Sequence, residues 1–149
     1  MKSILVINGP NLNFLGQREK TVYGSETLDE VNDRIISETD ELEIELDFFQ
    51  SNHEGDIIDE IQFAHYNEVD GIVLNAGAFT HYSYAIRDAI ASVDVPVVEV
   101  HLSDVNNRED FRKISVIREV CAANFFGEGY VSYVKAVRFL DKQNGGEQK

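Results

Sequence analysis

The feature that most constrains this chain is a repeated alternation of short apolar runs with longer amphipathic stretches. The apolar runs are rich in Val, Ile and Leu, which is typical of buried strands. They predict strands at residues 3–7, 44–49, 71–74, 95–100 and about 120–126. The stretches between them have helical spacing of apolar residues, and they predict helices at residues 27–42, 56–66, 82–93 and 130–140.

Strands that alternate with helices are joined by right-handed crossovers, which gives a parallel sheet with helices on both faces. We therefore expect an α/β fold: a three-layer sandwich of flavodoxin-like or Rossmann-like type around a five-stranded parallel sheet. Thr27 followed by Glu30 resembles a capping box, which places the start of the first long helix. In such sheets, ligands bind beyond the carboxyl ends of the strands.

Length and composition predict one domain. The 149 residues are 43% hydrophobic, enough for one core, and we assign residues 1–143 to a single catalytic domain. Residues 144–149 have no apolar side chain and are expected to form a disordered tail. No apolar stretch approaches the roughly 20 residues of a membrane span, and the N-terminus turns polar too early for a signal peptide, so we expect a cytoplasmic protein.

The formal net charge of −14 argues against nucleic acid or an anionic membrane as partner. An anionic ligand must then be held by a few local arginines. Arg108 and Arg112 follow the fourth predicted strand and are spaced to direct one or two cations toward the strand ends. The arginine fork can bind a carboxylate through two parallel hydrogen bonds.

The residues that follow the predicted strands are unusually polar. Strand one is followed by Asn8 to Asn13, strand three by Asn75 to His81, and strand four ends in Glu99, Val100 and His101. Glu99 and His101 are two apart, so their side chains leave the same face of the strand. A glutamate in an apolar strand is costly unless it is paired, so a Glu–His pair is expected, either as a catalytic dyad or as a structural ion pair.

A long connection after the first strand runs from Gly16 to Gly24 and has the features of a mobile lid. It contains Arg18 and Tyr23. These are either solvated residues or a base and its activator. A free tyrosine, with a pKa near 10, is only about one part in a thousand ionised at pH 7. A nearby guanidinium can lower the pKa of such a phenol by roughly 1 to 3 units.

Together these residues resemble a known family, the type II 3-dehydroquinate dehydratases. The resemblance runs collinearly from about Ile4 to Leu140, and it rests on the motifs Gly9-Pro10-Asn11-Leu12-Asn13, Arg18-Glu19, Tyr23-Gly24, Ser51-Asn52-His53-Glu54-Gly55, Asn75-Ala76-Gly77-Ala78, His81, Val98-Glu99-Val100-His101 and Arg108-Glu109-Asp110-Phe111-Arg112. It implies a flavodoxin-like fold, no organic cofactor, no metal, and a homo-dodecamer built as a tetramer of trimers. The implied reaction converts 3-dehydroquinate to 3-dehydroshikimate and water.

The resemblance also implies roles for individual residues. Tyr23 would be the base that removes a proton next to the ketone, with Arg18 lowering its pKa, and Asn11 would hold a water that stabilises the resulting enolate. His101 would protonate the departing hydroxyl while Glu99 orients its ring. The implied substrate-binding residues are Asn75, His81, Asp88, Leu102, Ser103 and Arg112, of which Asp88 would reach the site of a neighbouring subunit.

Two segments depart from the family pattern. Lys20 stands where a proline usually follows the Arg-Glu pair, which affects the expected closing of the lid. Residues 116–129 are less rich in small residues and glycine than is usual in the family. The family pattern therefore constrains the fifth strand and the subunit packing less than the rest of the expected structure.

Four other functions are compatible with parts of the sequence. A flavin-binding electron carrier shares the fold class, but the loop after strand one lacks the hydroxyl residues that grip a phosphate. A phosphate-accepting receiver module should have aspartates where Asn8 and Asn75 stand. A hydrolase triad of Ser103, His101 and Asp104 lacks the Gly-x-Ser-x-Gly elbow. A zinc site of His101, Glu99 and His81 has no diagnostic spacing.

Overall fold

The protein is described by a computed structural model that covers residues 1–17 and 19–143, with the backbone alone at Lys20 and Tyr23. The predicted tail, residues 144–149, lies outside the described residues. The five strands are β1 (Lys2–Asn8), β2 (Ile44–Gln50), β3 (Gly71–Asn75), β4 (Val97–His101) and β5 (Ala123–Phe126). They form one parallel sheet in the order β2-β1-β3-β4-β5, which confirms the flavodoxin-like α/β prediction.

The helices are α1 (Lys20–Tyr23), α2 (Leu28–Glu38), α3 (Glu54–Tyr66), α4 (Tyr84–Ser92) and α5 (Tyr130–Lys142). The four predicted helices are present, and the short α1 was not predicted. At the start of α2 the Thr27 hydroxyl accepts the Glu30 amide and the Glu30 carboxylate accepts the Thr27 amide, which confirms the capping box. None of the helices formed by the described residues is long and apolar enough to cross a membrane.

Successive side chains of each strand point to opposite faces of the sheet, so two hydrophobic cores form, one on each face. On one face of the sheet, Leu5 and Ile7 of β1 pack with α3, α4 and Ile117. On the other face, Ile4 and Val6 pack with α2 and α5. Because side chains on a strand alternate between faces, a position in β4 is assigned to one helical layer by its parity alone.

Among the strands, the fifth has the largest shift of a single boundary from its prediction, while the helix predicted at residues 27–42 ends early, at Glu38. The fifth strand begins at Ala123 rather than near Val120, because residues Arg118–Val120 form a 3-10 turn. The Ala122 amide then bonds to the Val97 carbonyl, and β5 continues the pairing with β4. The turn places the Arg118 side chain beside Glu99 of β4.

Candidate active site

The carboxyl ends of β1 and β3 meet in register, with Asn8 paired to Asn75. The connections from these strands diverge there, since β1 is followed by β2 on one side and β3 by β4 on the other. A cavity of about 100 Å³ opens at this edge. It is lined by Pro10, Asn11, Leu12, Asn75, Gly77, Ala78, His81, His101, Leu102, Ser103, Val105, Arg108 and Arg112.

The loops after β1 and β3 are pressed against each other at two glycines. A Cβ atom on Gly9 would lie 2.7 Å from the Ala76 carbonyl oxygen, and one on Gly77 would lie 3.1 Å from Pro10. Gly77 also has a positive φ of 59°. Backbone therefore packs on backbone, which brings the loop that carries Asn11 next to the loop that carries His81.

Asn11 itself has a left-handed backbone, with φ 68°. Asparagine tolerates this region better than most residues do. The backbone N–H of Asn11 donates to Oδ1 of Asn52 at 2.9 Å, and Asn52 follows β2. The loop after the edge strand thus fixes the backbone of Asn11 at the cavity wall.

A neutral network lies beneath the ends of β1 and β3. The Tyr133 hydroxyl of α5 donates to Asn8 Oδ1 at 2.6 Å and accepts from Asn75 Nδ2 at 2.9 Å, while Asn75 Oδ1 accepts the Gly77 amide at 3.1 Å. Tyr133 is fully buried, which raises the pKa of its phenol. This leaves one N–H of the Asn75 amide for a ligand in the cavity.

The expected contact between Glu99 and His101 is present. His101 Nε2 lies 2.6 Å from Glu99 Oε2, and both side chains are on the α3/α4 face, whereas Val98 and Val100 belong to the opposite core. A carboxylate only accepts hydrogen bonds, so Nε2 carries the proton of this contact. Nδ1 is then the ring nitrogen left for a molecule in the cavity.

Glu99 has further donors besides His101. Arg118 binds Glu99 with two N–H groups of its guanidinium. Nε donates to Oε1 and Nη2 donates to Oε2, each at 3.1 Å. The Ser115 hydroxyl donates to Oε1 at 3.2 Å. Burial alone would raise the pKa of the Glu99 carboxyl, but the bonds from His101 and Arg118 outweigh it and hold that pKa below its ordinary value. Glu99 is therefore an ionised carboxylate with no exposed surface.

His81 lines the same cavity as His101. Its Nδ1 bonds to the Ile114 carbonyl at 2.8 Å, so Nδ1 carries a proton and Nε2 has a free lone pair in the neutral ring. Burial lowers the pKa of His81, and the nearby His101 and Arg112 lower it further, against the opposing effect of the Ile114 bond. A neutral His81 is suited to accept a hydrogen bond from a ligand hydroxyl.

The positive charge of the cavity comes from Arg108 and Arg112. Their side chains are 11% and 20% exposed, and both lie near the Glu109 carboxylate. Arg112 also lies over the Phe111 ring, 4.6 Å from its centroid, and Arg108 makes a long contact of 3.5 Å with the Ser103 hydroxyl. The chain is acidic overall, yet it presents two cations at this wall.

The remaining expected site residues have different placements. Leu102 and Ser103 are buried and line the cavity. Asp88 lies on the exposed surface of α4 and is not among the residues that line it. Arg18 and the Tyr23 side chain lie outside the described residues, and only the backbone of Tyr23 is placed, at the end of α1.

Sequence reasoning missed Arg118, Ser115, Tyr133 and Asn52. One signal pointed to Arg118: a carboxylate in an apolar strand has about four acceptor positions, and one imidazole fills only one. Nothing in the spacing showed which cation would fill the others. Tyr133 is indistinguishable in sequence from a core aromatic residue on a helix.

The arrangement is suited to acid–base chemistry on a small anionic molecule. Among the described residues, no three His, Cys, Asp or Glu side chains form a group that could hold a metal ion. Arg108 and Arg112 supply positive charge, and an ionised carboxylate orients His101 at the cavity edge. Fold and site together define an α/β enzyme in which His101 can give or take a proton at the carboxyl end of a parallel sheet.

Comparison with known proteins identifies the family. The family model described as "Dehydroquinase class II" matches residues 2–141. The chain is 53% identical to a 3-dehydroquinate dehydratase of Caldicellulosiruptor bescii, covering 94% of this chain and 97% of that one. It is 50% identical to the Bacillus subtilis 3-dehydroquinate dehydratase over the full length of both. The crystal structure of a type II dehydroquinase from Butyrivibrio crossotus superposes with a TM-score of 0.92 at 53% identity, covering 95% and 98% of the two chains. This chain belongs to the class II dehydroquinase family.

Proposed function

We propose that this chain catalyses the dehydration of 3-dehydroquinate to 3-dehydroshikimate, through an enolate and an anti elimination of water. The reaction belongs to the shikimate route to aromatic amino acids, or to the breakdown of quinate. The observation that carries the proposal is the His101–Glu99 pair at the edge of a cavity lined by Arg108 and Arg112. Relatives named 3-dehydroquinate dehydratase, which match almost the whole chain, support it.

In the first step, Tyr23 takes a proton from the carbon next to the ketone. The electron pair of the broken C–H bond moves toward the ketone oxygen, which becomes an enolate. Arg18 favours the ionised form of the tyrosine, and Asn11 holds a water that donates to the enolate oxygen. The fixed backbone of Asn11, which is bound to Asn52, supports this last role.

In the second step, the enolate reforms the ketone and its electrons form the ring double bond while the hydroxyl leaves. His101 Nδ1 gives its proton to that hydroxyl, which departs as water. The ring must be doubly protonated before this step, since Nε2–H stays bound to Glu99. The proton that Tyr23 took then returns to His101 through solvent, which completes the cycle.

Substrate binding uses groups on three sides of the cavity. The backbone around Leu102 and Ser103 holds the substrate carboxylate, and Arg112 contacts the ring hydroxyls. His81 and Asn75 bind further oxygens of the substrate. The free Nε2 lone pair of His81 and the remaining N–H of Asn75 support these assignments.

The proposal extends to assembly and location. Residues 1–143 act as one catalytic domain without cofactor or metal, in a cytoplasmic homo-dodecamer built as a tetramer of trimers. Asp88 reaches the site of a neighbouring subunit, which agrees with its exposure on α4 away from its own cavity. The net charge of −14 agrees with a small-molecule substrate rather than nucleic acid or an anionic membrane as partner.

The test is an ultraviolet assay that follows the conjugated product formed from 3-dehydroquinate, with and without a chelator. Wild type is expected to form product in both conditions. Tyr23→Phe is expected to form none, because the ring remains and only the ionisable oxygen is lost. Tyr66→Phe, at a tyrosine that is 81% exposed, is the matched control and should match wild type. A folded wild type that forms no product contradicts the function, and an active Tyr23→Phe contradicts the role of the base.

A further inference from the structure

Arg118 and His101 bind the same carboxylate, that of Glu99. Glu99 Oε2 accepts from His101 Nε2 at 2.6 Å and from Arg118 Nη2 at 3.1 Å, and Arg118 Nε binds Oε1 at 3.1 Å. Two parallel bonds from a guanidinium fix both the position and the plane of a carboxylate. Arg118 therefore determines where the partner of His101 lies.

Arg118 is itself held at this position. The hydroxyl of Ser115 accepts the Arg118 amide at 3.2 Å and donates to Glu99 at 3.2 Å. The guanidinium lies 5.4 Å from the centroid of the Phe126 ring of β5. Its side chain is 33% exposed while that of Glu99 is fully buried, so one end of the ion pair reaches the surface.

We propose that Arg118 is a positioning residue of the dehydration reaction: it fixes the Glu99 carboxylate and, by sharing its charge, sets the pH range in which His101 gives up its proton. The inference rests on the proposed function, because it concerns the acid of that reaction. Arg118 is not among the residues that line the cavity, so it acts only through Glu99.

The charge on Glu99 determines how strongly the contact favours a protonated His101 ring. A carboxylate with imidazole as its one charged partner stabilises the protonated ring with its full field, which makes the ring a weak acid. When a guanidinium binds the same two oxygens, part of that field is compensated. His101 then releases its proton more readily to the departing hydroxyl, while Glu99 stays ionised.

Other charged or titratable groups also face the pair. His81 is on the neighbouring segment Gly77–His81, and Arg108 and Arg112 line the same cavity. Ser115 faces Glu99 but is neutral, and Tyr133 lies on the opposite face of the sheet. A change at position 118 leaves all of these groups in place, so a difference between variants reports the Arg118–Glu99 contact.

The experiment compares wild type with Arg118→Gln and with the control Arg138→Gln. The control removes the same charge from Arg138, an exposed arginine that binds Glu41 and belongs to α5, which packs on the other face of the sheet. Two quantities are measured: the pH dependence of kcat with 3-dehydroquinate, and the NMR titration of the His101 ring without substrate. In Arg118→Gln, the high-pH limb of kcat and the His101 titration are expected to move up by about one pH unit. We also expect kcat at neutral pH to fall roughly 10-fold, because the acid is weaker and less well oriented.

The inference is overturned if Arg118→Gln titrates like wild type, or if Arg138→Gln moves as far. An equal effect of Arg118→Gln in a Glu99→Gln background also overturns it, since the carboxylate would not then carry the coupling. If wild type forms no product, the proposed function fails and the role of Arg118 in dehydration fails with it. A His101 titration that still moves in Arg118→Gln would then show only the contact of Arg118 with His101 through Glu99.

Arg118→Lys covers the case in which the glutamine variant does not fold. Lysine keeps the positive charge but cannot hold both carboxylate oxygens in one plane. We expect a His101 titration close to that of wild type and a kcat reduced several-fold. A lysine variant with the kcat of wild type overturns the claim that the guanidinium geometry orients the pair.

Discussion

Two polar clusters lie at the carboxyl ends of the strands, one on each face of the sheet. The charged cluster, Glu99 with His101 and Arg118, lies on the α3/α4 face at the end of β4. The neutral cluster, Asn8 with Tyr133 and Asn75, lies on the α2/α5 face below β1 and β3.

The two clusters are built for different tasks. The neutral cluster keeps its protonation state near neutral pH. The amides of Asn8 and Asn75 do not titrate, and burial raises the pKa of Tyr133 above its ordinary value. The charged cluster contains the imidazole of His101, whose proton moves in the proposed reaction. The same edge of the sheet thus combines a neutral frame of fixed protonation with the proton donor of the proposed reaction.

The largest expected effect comes from the charged cluster. His101→Ala should lower kcat by about 10²- to 10⁴-fold, because the departing hydroxyl loses its proton donor. The fold should persist, since Glu99 keeps the two bonds from Arg118. The ultraviolet assay measures this, and His53→Ala is the matched control, because His53 is exposed and its side chain makes no capping bond. Activity within a few-fold of wild type would mean that another group is the acid.

The next-largest expected effect is a loss of stability when the neutral cluster is changed. Tyr133→Phe removes the hydroxyl between Asn8 and Asn75 and leaves buried amide groups without that partner. We expect the free energy of unfolding to fall by about 1–3 kcal/mol, as measured by urea denaturation. The loss should be the same at every pH near neutral. Tyr66→Phe is the control, and a stability equal to that of wild type in Tyr133→Phe would show that the neutral network contributes no net stability.

The smallest effect is a pH dependence of stability. Because folding holds the pKa of Glu99 below its ordinary value of 4.5, its contribution is present above that pH. It is lost as the pH falls through the lowered folded-state pKa. Glu99→Gln should therefore differ most from wild type near neutral pH, and the difference should shrink on acidification in urea titrations. The curve of Tyr133→Phe should instead run parallel to that of wild type, and a shrinking gap there would remove the distinction between the clusters.

Much of the fold follows from the sequence, because burial imposes a period of two on strands and of about 3.6 on helices. The same periodicity placed Glu99 and His101 on one face, and the contact between them is present. The polar residues after β1 and β3 were also assigned to the correct edge of the sheet, where Asn11 and Asn75 line the cavity.

The remaining features depend on contacts between distant segments. Residues 116–122 form too short a segment for their apolar spacing to decide between helix and strand. The sequence predicts a strand that begins near Val120, where the structure has a 3-10 turn. That turn delivers Arg118 to a carboxylate 19 residues away in sequence. Tyr133 meets Asn8 over a separation of 125 residues. Local patterns carry no information about such pairs.

The two glycines where the loops after β1 and β3 meet have a consequence for how this sequence can vary. A side chain at position 9 would strike the Ala76 carbonyl, and one at position 77 would strike Pro10, so each glycine faces the backbone of the other loop. If positions 9 and 77 are randomised and the variants are selected for enzymatic turnover, we expect the selected variants to have glycine at both positions. Under selection for solubility alone, the two loops can spread apart, and other residues become acceptable. Positions 9 and 77 would then report whether the site is retained in a variant whose fold is intact.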